Sequence, residues 1–138
     1  MLGLDTNVIL RLLLDDDPVQ KKRASKTIAR AKAAGIPVML GLGVVLELEW
    51  VLRSRARMNK AQVLAIFRLL LESYDVQIEN EKVLEQAVHT YQHATVDFAE
   101  CLFLAQYQRM GCQTMLTFDA KAARTDQVLD DVSLVAST

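Results

Sequence analysis

The chain has 138 residues, 51% hydrophobic and 24% charged, with a net charge of −1 and two cysteines. That length suits one domain able to bury about two-thirds of the surface its unfolded form exposes. The charge balance excludes a globally basic nucleic-acid binder, so any such partner must meet a local basic patch. Two cysteines, Cys101 and Cys112, make no disulfide scaffold. The longest apolar stretch, between positions 38 and 52, is broken by Glu47 and Glu49 and so does not read as a membrane span. A carboxylate already at position 5 argues against a secretory leader, and the expected location is cytoplasmic.

The first nine residues carry the organising feature. An apolar run, Met1-Leu2-Gly3-Leu4, closes on Asp5; Thr6 and Asn7 follow before Val8, Ile9, Leu10, Leu12, Leu13 and Leu14 resume the apolar pattern. This predicts a buried strand handing over to a helix, with Asp5 at the strand's carboxyl end, where open α/β sheets bind ligands. The plain alternative is that Asp5 only caps the helix.

Helix one is predicted over 6–14 and ends in Asp15-Asp16-Asp17. Asp17-Pro18 then starts a second helix, with Asp as N-cap and Pro where a missing N–H costs nothing. It carries Lys21, Lys22, Arg23, Lys26, Arg30 and Lys32, the most basic segment of the chain, and stops at Gly35. Residues 36–40 form the second strand, continuously apolar as in a sheet covered on both faces.

Helix three is predicted over 42–55. A turn of 100° per residue puts Val44, Val45, Leu48, Val51 and Leu52 on one face, the expected core. Glu47 sits on one margin of that face with no charged residue four positions on. Glu49, on the other margin, has Arg53 at i+4, the favourable order for a solvated ion pair. Leu42, Leu46 and Trp50 make a second stripe pointing away from the core, a candidate partner surface.

Arg53, Arg55, Arg57 and Lys60 precede helix four, predicted over 61–73. A short strand at 76–78 follows, then Asn80 as the cap of helix five, which ends near 93. Helix six opens with Asp97-Phe98-Ala99-Glu100, a spacing that resembles a capping box. Its first two turns are apolar nearly all round, so the helix is expected to be buried and a carboxylate in it to need a partner. Residues 114–118 form a fourth strand that terminates in Asp119, and 132–135 supply a last one. The order β-α-α-β-α-α-β-α-α-β-α-β predicts a parallel sheet with helices on both faces.

Asp5, Asp97 or Glu100, and Asp119 all fall at a strand end or helix start, with Glu47 just inside helix three. Taken singly, each is explained by capping or solvation. Taken together they are not, because the carboxyl ends of parallel strands share one edge and capping does not need several acids to converge there. Carboxylates that close repel unless a cation offsets their charge. Oxygen-only ligands suit Mg²⁺ or Mn²⁺, and no Cys/His spacing in the sequence favours zinc. Phosphodiester hydrolysis is the chemistry that follows.

The segments Leu4-Asp5-Thr6-Asn7-Val8-Ile9-Leu10-Arg11, Asp16-Asp17-Pro18, Val45-Leu46-Glu47-Leu48-Glu49-Trp50-Val51-Leu52-Arg53, Asp97-Phe98-Ala99-Glu100 and Leu116-Thr117-Phe118-Asp119, in this order, resemble PIN-domain proteins, with the closest likeness to VapC toxins of bacterial toxin–antitoxin pairs. The resemblance implies a single PIN domain over 1–138, a three-layer α/β/α fold whose five-stranded parallel sheet has the order 3-2-1-4-5. It also implies a Mg²⁺- or Mn²⁺-dependent endoribonuclease. Asp5, Glu47, Glu100 and Asp119 match the acidic positions, with Asp5, Glu100 and Asp119 as metal ligands. Asn7, Asp97 and Thr117 match groups that orient them. Related proteins usually carry Asp at the position of Glu100, one methylene shorter. Arg11, Lys121 and Arg124 are candidates for the RNA backbone, with Arg53, Arg55 and Arg57 as a more distant patch. The implied partners are a VapB-type antitoxin and a second copy of the chain, one of them docking on Leu42, Leu46 and Trp50. Two alternatives stand beside this reading: a catalytically impaired PIN-fold binding module, and a phosphoacceptor receiver-like domain.

Overall fold

The computed structural model describes residues 1–118 and the strand at 132–134. Asp119, Lys121, Arg124 and the helix expected before the last strand lie outside the described residues. The chain divides into two units, Met1–Glu81 and Lys82–Thr138.

The first unit contains β1 (Leu2–Leu4), α1 (Thr6–Leu13), α2 (Pro18–Ala33), β2 (Val38–Leu40), α3 (Leu42–Ser54), α4 (Lys60–Glu72) and β3 (Gln77–Ile78). Its sheet is parallel in the order β1-β2-β3, with Leu4 beside Leu40 and Leu40 beside Ile78. Helices α1 and α2 pack on each other, α3 packs on α1 and α4, and α2 lies against β2. Val38 and Leu40 are buried, as a central strand under helices requires. Ile9, Leu10, Val45, Leu48, Leu52, Val63 and Phe67 supply helix side chains to the core.

Local chemistry sets the helix ends. Asp5 Oδ1 accepts the Val8 N–H at 3.1 Å and Asp17 Oδ1 accepts that of Gln20 at 3.0 Å, each satisfying an amide the first turn leaves open. Pro18 follows Asp17 as the first residue of α2, and Gly35, two residues past its end, has φ +71°. Before α4, where the sequence shows mainly basic residues, Asn59 and Gln62 form a reciprocal capping box, with both bonds at 2.9 Å. Lys21 Nζ reaches Asp15 Oδ1 at 2.6 Å, and this bond holds the Asp15 carboxyl below its ordinary range.

The second unit holds α5 (Glu81–His93, whose first residue closes the first unit), α6 (Phe98–Arg109), β4 (Met115–Thr117) and β5 (Val132–Leu134). Strands β4 and β5 are parallel, with Met115 beside Val132 and Thr117 beside Leu134. Val83, Leu84, Ala87, Val88 and Tyr91 form the buried stripe of α5, and Tyr91 meets Phe98 edge to face at 5.4 Å. On α6, Phe98, Cys101, Leu102, Leu104 and Ala105 are buried, as its composition requires. Gly111, with φ +88°, follows its end. Cys101 is buried and Cys112 exposed, both as free thiols. No described helix is long and apolar enough to cross a membrane.

The orientation of α3 differs from expectation. Leu42, Val45, Leu48, Val51 and Leu52 are buried, and so is Glu49, only 3% exposed; Val44 is partly covered. Leu42, expected to point away from the core, therefore belongs to it. The predicted Glu49–Arg53 pair forms at 3.0 Å, but it is not solvated on the Glu49 side. The buried arc is rotated toward Leu42 and Glu49 because both neighbours of α3, α1 and α4, claim part of its surface.

Candidate active site

The register across the first sheet defines a rim. Leu4, Leu40 and Ile78 are adjacent, so the next residues, Asp5, Gly41 and Glu79, form one row at its carboxyl edge. The outer two are separated by two strand spacings, about 10 Å. Asp5 is exposed, and its cap on α1 uses only Oδ1. With Asn7 and Arg11 it lines a cavity of about 460 Å³, to which α2 contributes Arg23 and Thr27. Asn7 thus lines the same cavity as Asp5. Arg11 is already engaged: Nη1 pairs with Asp16 Oδ2 and Nε donates to Gln20 Oε1, both at 2.7 Å. A phosphate at this cavity would meet a guanidinium held in place by two partners.

Glu79 is the rim acid that sequence reasoning missed. Its carboxylate Oε1 accepts the Leu42 N–H at 2.9 Å, and its own N–H donates to the Leu40 carbonyl at 2.9 Å. Glycine at the N-cap of α3 offers no side chain, so a residue one strand away supplies both the acceptor and the negative charge favoured at a helix start. The signal was present, since Glu79 directly follows its strand as Asp5 does. E79A is expected to lower stability by about 1–2 kcal/mol and E79Q by about half of that, because the amide keeps an acceptor and loses the charge. Urea denaturation with both variants checks the ordering.

Glu47 lies in the second turn of α3, exposed and in no ion pair among the described residues. Of the three residues read as a partner stripe, Leu42 is buried, Leu46 half-buried and Trp50 50% exposed, with Arg55 Cζ 5.8 Å from the centre of its ring. The exposed apolar surface on this helix is therefore narrower than a three-residue stripe.

In the second unit Glu100 occupies the first turn of α6, half-buried, and lines a cavity of about 590 Å³ with Thr117, Phe103, Tyr107, Met115 and Phe118. Asp97 is the N-cap residue of α6 and is exposed, but its side chain makes no capping hydrogen bond. The expected capping box is thus not closed from the Asp97 side. Thr117 ends β4 two positions before Asp119, which lies outside the described residues.

A family model for the PIN domain matches residues 3–128. The chain belongs to the PIN-domain family. The match runs through both units and sets aside the receiver-like alternative. PIN domains are a nuclease family that generally uses divalent metal ions and acts on nucleic acid. No curated protein matches the chain significantly. The parallel sheets and six described helices agree with the PIN fold. Among the described residues no group of three or more His, Cys, Asp or Glu side chains is gathered for a metal ion. Asp5 and Glu47 belong to the first unit and Glu100 to the second. The donors nonetheless fit a hard divalent cation in kind, since all are carboxylate or neutral oxygen, and Asp5 keeps one oxygen outside its cap.

Proposed function

We propose that this PIN domain is an endoribonuclease dependent on Mg²⁺ or Mn²⁺, acting in the cytoplasm as the toxin of a VapBC-type pair. One observation carries the reading: Asp5, the first acid of the family motifs, stands at the carboxyl end of β1 with only Oδ1 engaged among the described residues, in a cavity that also holds Asn7 and Arg11. Asp5, Glu100 and Asp119 are the proposed ligands. A divalent ion, when bound by them, would lower the pKa of its water and offset charge on the phosphoryl group.

The chain's own residues do the rest. The α1 cap fixes the Asp5 carboxylate, leaving Oδ2 for the ion. Glu47, exposed and unpaired among the described residues, is the proton acceptor for the attacking water. Asn7, Thr117 and Asp97 orient the carboxylates. Arg11, anchored by Asp16 and Gln20, meets the RNA backbone together with Lys121 and Arg124. Single-stranded or looped RNA is the substrate class, because its backbone bends into a cleft.

The toxin assignment is tested by inducing the chain in cells. Growth stops, and co-expression of the adjacent open reading frame restores it; continued growth on induction overturns the assignment. The proposed partners are that antitoxin and a second copy, with Trp50 and Leu46 as the docking surface for one of them. Unchanged oligomeric state and antitoxin affinity in W50E remove that surface from the proposal. A second reading rests on Glu100, whose extra methylene shifts the carboxylate by more than about one ångström relative to the usual Asp. On that reading the domain binds without cutting, and calorimetry finds no Mn²⁺ binding.

A further inference from the structure

The nuclease reading uses neither of the two histidines in the sequence. Both lie on α5, four residues apart, and both are exposed. Positions i and i+4 face each other on successive turns, and here the ring centres of His89 and His93 are 4.8 Å apart at an interplanar angle of 60°. That spacing can be compared with what a shared metal demands. Taking metal–nitrogen bonds of about 2.0–2.1 Å and about 1.1 Å from nitrogen to ring centre, two imidazoles on one ion at about 90–110° have centres about 4.5–5.2 Å apart. The centre-to-centre spacing of this edge-on pair lies inside that window.

We propose that His89 and His93 form a two-imidazole clamp for a borderline divalent ion, Cu²⁺ or Ni²⁺, built from residues the carboxylate rim does not use and independent of the nuclease reading. Nitrogen donors favour these ions strongly over Mg²⁺ and Mn²⁺, so an excess of Mg²⁺ occupies oxygen ligands and leaves the two imidazoles to the added ion. Glu85, one turn before His89 and also exposed, adds negative charge on the same side of the helix. Two protein ligands leave further coordination positions to water. Because the clamp exists only when α5 is folded, its ion stabilises the last two turns of that helix.

The test uses the untagged 138-residue chain at about pH 8, where imidazole is ordinarily neutral. With Mg²⁺ in millimolar excess, one equivalent of Cu²⁺ gives an electron paramagnetic resonance spectrum with two coordinated nitrogens, and calorimetry finds one Ni²⁺ site per chain. H89A and H93A each weaken Ni²⁺ binding by at least about tenfold and reduce the copper signal to one nitrogen. In the same Mg²⁺ excess D5N leaves both measurements as in the parent, and raising Mg²⁺ further does not displace the ion. Both histidines are at the surface, so circular dichroism of the variants matches the parent. An H89A/H93A chain that keeps the two-nitrogen spectrum and the parental Ni²⁺ affinity overturns the proposal, as does displacement by Mg²⁺.

Discussion

D5N keeps its fold and loses RNA cleavage by at least about 100-fold in Mg²⁺ or Mn²⁺. Asparagine is as good an N-cap as aspartate, so the amide oxygen at position 5 still accepts the Val8 N–H that Asp5 Oδ1 accepts at 3.1 Å. What disappears is the anionic oxygen on the other side of the carboxylate, the donor a hard cation needs. Removing only an outer partner of a metal ligand typically costs about 10–100-fold, so removing a ligand's charge lies at or beyond the upper end. D5A adds the loss of the cap, about 1 kcal/mol of stability. Single-turnover cleavage of a fluorescent RNA, with urea denaturation of both variants, separates the two effects. Cleavage by D5N at the parental rate ends the nuclease proposal at this residue.

The second large effect contrasts two carboxylates two residues apart on α3. E47Q is expected to reduce cleavage by about 10²–10⁴-fold, the range for losing a proton-transfer group. Its stability stays within about 0.5 kcal/mol of the parent, because Glu47 is exposed. E49Q is expected to do the reverse. Glu49 is 3% exposed and bonded to Arg53 at 3.0 Å, so neutralising it weakens a charge-assisted bond in the interior and lowers stability by about 1–2 kcal/mol. Cleavage per folded molecule stays at the parental level. Equal losses of activity in the two variants would place Glu49 in the chemistry and contradict the separation.

That contrast marks where sequence reasoning stopped. From the periodicity of α3, Glu47 and Glu49 fell on opposite margins of one core face, and Glu49 was expected in a solvated pair with Arg53. The helix is apolar on most of its circumference, with Leu42, Val44, Val45, Leu46, Leu48, Trp50, Val51 and Leu52 spread around it. Angular position is legible from such a pattern, but which arc is covered depends on where α1 and α4 lie. Trp50 illustrates the same point. The sequence places it opposite Val45 and Leu48, and it is half exposed, whereas its presumed stripe-mate Leu42 is 5% exposed.

Short-range chemistry determined by itself the first strand and its closing acid, the caps Asp5 and Asp17, the proline start of α2, the glycine after α6 and the order of elements through β4. Each of these depends on residues within about one helical turn, where propensity and capping act. Only the tertiary structure decided that Glu49 is inside, that Leu42 is core, that Arg11 is held by Asp16 and Gln20, and that Glu79 bridges from β3 to the start of α3. The Glu79 contact spans 37 positions of sequence. A bond of that kind exists only once parallel strands have aligned, because the register that puts Ile78 beside Leu40 is what carries Glu79 to an amide it could not otherwise reach.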